Sequence, residues 1–227
     1  MAMKAWVRFP TAWIEDDGLK RFRWEPEKGA NNVAALMTLM VIGHHADEAG
    51  VAALTYDGLS SATHLSRTKI AAGLDVLEEA ELIRRNGLGR SRYEIVDYAG
   101  KPWGKLPAKG LYSTGGIAAF SDFHLRRRTE LDALKLYFLT VSRRNNATNI
   151  ANMKYETITE YSGIERTRIR SAASLLAALG LVHVERLPSD ISSHGISNGY
   201  RLAHLEPYVH MGTKGRGMDD FDYADLE

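Results

Sequence analysis

Two short basic runs in this chain have the residue types to work on a nucleic acid. One is Ser66-Arg67-Thr68-Lys69 and the other is Arg166-Thr167-Arg168 with Arg170 two places on; they recur at a spacing of 99 positions. Arginine can donate two parallel hydrogen bonds to the O6 and N7 edge of guanine, and threonine suits a phosphate oxygen or a thymine methyl. Each run stands where a helix is expected to start, so free backbone amides would add to its attraction for phosphate. A third basic group, Arg84, Arg85, Arg90 and Arg92, flanks the Gly-containing tip Asn86-Gly87-Leu88-Gly89. Arginine at such a tip suits a narrow minor groove or a phosphate. The triplet Arg126-Arg127-Arg128 could touch the DNA backbone in the same way.

The elements that must hold these residues follow from a repeat. Under the 99-residue shift, Tyr56 matches Tyr155, Arg67 Arg166, Thr68 Thr167, Ile70 Ile169, Leu77 Leu176 and Leu82 Leu181. Leu59/Ile158, Leu65/Ile164, Lys69/Arg168 and Ile83/Val182 are like-for-like replacements. A period this long marks a duplicated structural unit. In the first copy, Val33, Leu36, Met37, Met40 and Val41 recur at helical spacing, which predicts a buried helix over residues 33–47. Thr55 is placed to cap a helix running to about Thr63, and Ser66 to cap another running to about Glu79. Residues 82–85 and 90–96 then read as a hairpin. Ile70, Leu74 and Leu77 form the packed stripe of the last helix, which leaves Arg67, Thr68 and Lys69 outward.

The second copy repeats the order from a helix starting near Thr129, with Leu131, Leu134, Tyr137, Phe138 and Val141 on one face. Its packed stripe is Ile169, Ala173 and Leu176. Its hairpin is expected to be longer, with strands at 182–186 and 200–202 around a Ser-, Gly- and Asn-rich loop. Residues 5–26, with Trp6, Trp13 and Trp24, read as an aromatic lead-in packed on the first domain. Residues 99–110, with their glycines, prolines and lysines, sustain neither period and read as a linker.

Composition limits the alternatives. The 227 residues are enough for two small cores, and no apolar run approaches the roughly 18 residues of a membrane span. The start lacks the apolar core of a signal peptide, so a soluble, cytoplasmic protein is expected. With no cysteine, disulfides, thiolate metal sites and thiol chemistry are excluded. The net charge of +1 hides an asymmetry: residues 218–227 hold five acids and no base. Without those five, 23 acids face 29 bases, a balance of about +6 for the body. No phosphate-loop, nucleophile-elbow or zinc-protease motif is present, and the adjacent His44 and His45 would point to different faces of one helix. No cofactor, metal or enzymatic activity is expected.

A Ser/Thr-rich short helix, Arg-Thr-x-Ile, then Leu-x-x-Leu before Ala80-Glu81-Leu82-Ile83 or Leu179-Gly180-Leu181-Val182, and a basic hairpin resemble the winged-helix domains of bacterial regulators. The tandem arrangement resembles the plasmid replication initiators, whose two winged helices bind repeated origin sequences and often their own promoter. The resemblance covers most of residues 30–205. It implies a mainly α fold with small β-hairpins (α+β), as two tandem winged helix-turn-helix domains. Their expected bounds are 1–100 and 111–210, with a linker at 101–110 and a flexible acidic tail at 211–227.

The expected partner is double-stranded DNA, with a homodimer and a protein partner for the tail as further expectations. The expected role is replication initiation; transcription regulation and a protein-binding scaffold are the alternatives. The two copies differ, since Ala71-Ala72-Gly73 stands where the second has Arg170-Ser171-Ala172. A division of labour is expected, with the second helix making more base contacts and the first domain relying on its wing.

Overall fold

The computed structural model describes residues 3–85, 91–189 and 192–205. The tip at 86–89, Arg90 and everything beyond Leu205, including the acidic tail, lie outside the described residues. The class is α+β: helices with small antiparallel sheets. A lead-in of β1 (Trp6–Pro10), α1 (Ala12–Glu15) and α2 (Gly18–Arg21) precedes the first copy. That copy comprises α3 (Gly29–His45), β2 (Val51–Ala53), α4 (Tyr56–Thr63), α5 (Arg67–Glu79), β3 (Ile83–Arg85) and β4 (Arg92–Ile95). Strand β5 (Trp103–Pro107) and the small hairpin β6 (Tyr112–Ser113) and β7 (Gly116–Ile117) follow. The second copy comprises α6 (Arg128–Arg143), β8 (Ile150–Asn152), α7 (Tyr155–Ser162), α8 (Arg166–Ala178), β9 (Val182–Ser189) and β10 (Ser192–Leu202).

The repeat holds at the level of single hydrogen bonds. Helix α4 ends on His64 at φ 59° and α7 on Gly163 at φ 67°, 99 positions later. In the turn that follows, the hydroxyl of Thr63 accepts from Leu65 N at 3.3 Å and that of Ser162 from Ile164 N at 3.1 Å. Leu82 N donates to Leu77 O at 2.9 Å, and Leu181 N to Leu176 O at 2.9 Å. Both sheets have a third strand that the sequence pattern did not suggest: the orders are β2-β4-β3 and β8-β10-β9. Three-residue strands such as β2 and β8 are too short to show an alternation.

Helix α3 has no Asp, Glu, Lys or Arg among its 17 residues, and it is buried continuously from Asn32 to His44. Helix α6 is likewise buried from Glu130 to Val141. The two pack against each other and join the cores of both copies into one apolar cluster. They run in the same direction. Near their ends, Gly43 lies against Phe9 and Leu106, and Val141 against Gly104, so both finish at the β1–β5 pair. At their starts, Arg128 donates to Trp24 O at 3.2 Å, and the Trp24 ring lies against Gly29.

Three expectations need correction. Residues 103–107 are strand, not linker: β5 pairs antiparallel with β1 from Trp6↔Pro107 to Pro10↔Trp103, and Gly104, Leu106 and Pro107 are buried. A partner strand nearly a hundred residues away satisfies the backbone here, and local composition cannot register that. The lead-in packs on both copies, with the Phe9 ring 5.5 Å and the Trp13 ring 6.0 Å from that of Phe138. In the second hairpin, β9 and β10 extend through most of the expected loop, with an irregular register between Ser192 and Ile196. Ladder bonds are made by backbone groups, so Ser, Gly and Asn do not prevent them.

The difference at Gly73 has a packing cause. A Cβ there would meet the backbone of Ala34 and Ala35 at 2.9 Å, whereas Ala172 fits its own site fully buried. Gly73→Ala should therefore lower stability by about 1–3 kcal/mol despite its better helix propensity. Urea unfolding would measure the loss.

Candidate nucleic-acid interface

Ser66 caps α5, its hydroxyl accepting from Lys69 N at 3.3 Å, and so fixes the turn that presents Arg67 and Thr68. Thr68 and Thr167 are exposed at matching positions. Arg67 pairs with Asp57 at 2.5 Å, and Arg166 pairs with Glu156, the acid 99 positions on. All four side chains are more than three-fifths exposed. Such solvated pairs contribute at most about 1 kcal/mol. A competing anion can therefore displace the acid at little cost. Asp57 and Glu156 stand outside the contact residues expected from sequence, although the repeat signals them: an acid follows each matched tyrosine.

The third base of each run has another task. Lys69 Nζ donates to Asn31 Oδ1 at 3.0 Å, tying the start of α5 to the start of α3. Arg168 Nε donates to Asp132 Oδ2 at 2.9 Å, tying α8 to α6, and also pairs with Glu165 at 2.7 Å. Asp132 is 4% exposed, and burial raises the pKa of its carboxyl against the pull of Arg168. The same pocket holds Lys135, pushed down to about 8 by burial, whose Nζ donates to Phe22 O at 3.1 Å. Lys69 and Arg168 thus hold the helix starts in place.

Arg170 is exposed, with no ion pair among the described residues. Arg84 lies 3.7 Å from Glu94, and Arg92 is exposed on β4. Arg85 departs from the expected outward contact. Its guanidinium folds back onto α5, where Nε donates to Glu78 at 2.8 Å and Nη2 to Asp75 at 2.7 Å. Those hydrogen bonds raise its pKa and lower that of Glu78. Arg85 thus fastens β3 to α5. Arg126, Arg127 and Arg128 are exposed on a segment fixed by the buried Glu130, whose carboxylate accepts from the amides of His124, Arg126 and Arg127 at 2.7, 2.8 and 3.0 Å.

These bonds bring the two helix starts to one end of the molecule. Lys69 reaches Asn31 in the first turn of α3; Gly29 in that turn abuts Trp24; Trp24 O accepts from Arg128 at the start of α6; Asp132, one turn on, holds Arg168. The basic starts of α5 and α8 therefore flank a shared seam that also bears the exposed Arg23 and Lys28.

His44 is buried, its Nδ1 3.0 Å from the Tyr112 hydroxyl, while His45 is exposed. No group of three His, Asp or Glu side chains gathers among the described residues. No family model, curated protein or solved structure matches the chain.

Two measurements test the electrostatics. Arg168→Ala leaves Asp132 buried without its closest partner and should cost about 3 kcal/mol in urea unfolding. Arg168→Ala with Asp132→Asn should recover part of that loss. Burial, then the neighbouring His45, lowers the His44 pKa from 6.5 to about 3. The unfolded chain takes up this proton and the folded one resists it. Stability from His44 is therefore complete above the unfolded pKa and falls as pH drops from 6.5 toward 3, by about 3–5 kcal/mol in all. His44→Gln should flatten the stability profile over that window.

Proposed function

We propose that the chain binds double-stranded DNA sequence-specifically through two winged helix-turn-helix units, each lending its second helix, α5 or α8, to a major groove. The observation that carries this reading is the duplicated turn and helix start, with the two basic ends at one end of the molecule. A helix about 13 residues long, apolar on its inner face and basic at an exposed start, suits groove entry. The bases proposed to reach DNA are Arg67, Arg166 and Arg170, with Ser66, Thr68 and Thr167 beside them. Arg84 and Arg92 serve as wing contacts.

The most concrete role is that of a replication initiator of a plasmid or similar mobile element, in which two units on one chain would read repeated origin sequences. The expected division of labour finds support in Arg170, which the first copy lacks. Its other half is weakened, because Arg85 is withdrawn from the wing.

Arg166→Ala and Arg170→Ala should each weaken binding to the specific site by about 1–3 kcal/mol and relax base preference at one position. Unchanged affinity in both would misassign the recognition face. Log affinity should fall against log salt with a slope of about −0.9 per phosphate neutralised, and a slope near zero would sink the DNA reading in favour of a protein-binding scaffold. Footprinting on the neighbouring DNA separates the roles: an array of direct repeats marks an initiator, a single promoter operator a regulator.

A further inference from the structure

The β1–β5 ribbon carries an outward face that the duplex reading leaves unused. Val7 and Phe9 point into the core, so Trp6 and Arg8 stand on the other side of β1, as Trp103 and Lys105 do on β5. The two indoles lie nearly parallel, 10° apart with centroids at 6.5 Å. Each takes a cation from the opposite strand: Lys105 Nζ is 4.6 Å from the Trp6 centroid, and the Arg8 guanidinium 5.1 Å from that of Trp103. Trp6 is 37% exposed, one of two exposed large hydrophobic side chains among the described residues.

This arrangement is poorly explained as packing. Arg8 and Lys105 are directly opposite in the ladder, and like charges so placed destabilise a strand pair. Neither has an ion pair with an acid among the described residues, although Tyr98 beside Arg8 also senses Asp47 and Glu48. Arg8 is held rigid by bonds from Nη2 to the carbonyls of Ala99 and Gly100 at 3.0 and 2.9 Å. Two cations without an acid partner among the described residues, interleaved with two parallel aromatic rings, match the alternation of phosphate and base in an unpaired strand. A duplex hides its base faces and would leave the indoles unused.

We propose that the β1–β5 ribbon is a binding platform for single-stranded nucleic acid, with Trp6 and Trp103 stacking on bases and Lys105 and Arg8 facing phosphates. The ribbon sits where α3 and α6 end, and the basic helix starts sit where they begin. Across a 16-residue helix the two lie about 24 Å apart. One chain could thus hold a duplex at one end and a separated strand at the other. The proposal does not depend on the duplex reading, and Arg166→Ala/Arg170→Ala protein serves as background to keep the two apart.

The probe is an oligothymidine of about 15 nucleotides, titrated at low salt while tryptophan fluorescence is followed. Quenching is expected, with affinity about 5- to 150-fold lower in Trp6→Ala and restored toward the parent in Trp6→Tyr, which keeps a stacking ring. Lys105→Gln should make the salt slope shallower by about 0.7. Circular dichroism melts confirm that each variant is folded. Undiminished affinity in folded Trp6→Ala, absence of quenching, or equal binding of a duplex of the same length would each overturn the proposal.

Discussion

Two long helices enclosed over most of their length set the rest of this structure. The uncharged α3 and the closely enclosed α6 need cover on every side, and the helices of a single copy offer cover on only one. Each helix therefore takes α5 or α8 on one flank, the other long helix on a second, and the aromatic lead-in with β5 on a third. Fully burying a Leu, Met or Val contributes about 1.5–3 kcal/mol, and α3 does this at Val33, Leu36, Met37, Leu39, Met40 and Val41. Joining the copies is thus an outcome of hydrophobic burial. The shared end at which the basic helix starts meet follows from the parallel course that this packing imposes.

Local patterns were legible in the sequence wherever the cause was local. The caps at Thr55 and Ser66 and the helix ends near Thr63 and Glu79 could be read because capping and the 3.6-residue period act within a few residues. The stripe of Ile70, Leu74 and Leu77 was readable for the same reason. Features with remote causes were not. Strand β5 exists because of β1, the lead-in's position depends on Phe138, and the roles of Lys69, Arg85 and Arg168 depend on Asn31, Asp75 and Glu78, and Asp132. A base at a helix start looks the same in sequence whether it meets a buried carboxylate or open solvent. The Arg67–Asp57 and Arg166–Glu156 pairs fall between: long in range, yet written twice.

Charge in this molecule is sorted by degree of engagement. Arg85 and Arg168 bond carboxylates with two nitrogens and serve the fold. Arg67 and Arg166 hold solvated acids that a competing anion can displace. Arg170, Arg8 and Lys105 have no ion pair with an acid among the described residues, and they lie at opposite ends of the long helices. The small net charge of the whole chain conveys none of this ordering.

The pairing of β1 with β5 also bears on how the molecule is made. Trp6–Pro10 leaves the ribosome long before Trp103–Pro107, and Phe9 and Trp13 wait longer still for Phe138. During synthesis the first copy must stand with one side of α3 uncovered and an unpaired aromatic strand beside it. Contacts this distant along the chain close slowly, and exposed strands are prone to wrong associations in the interval. A fragment ending before residue 103 would keep its helices' local signals yet lack the partner that closes its core.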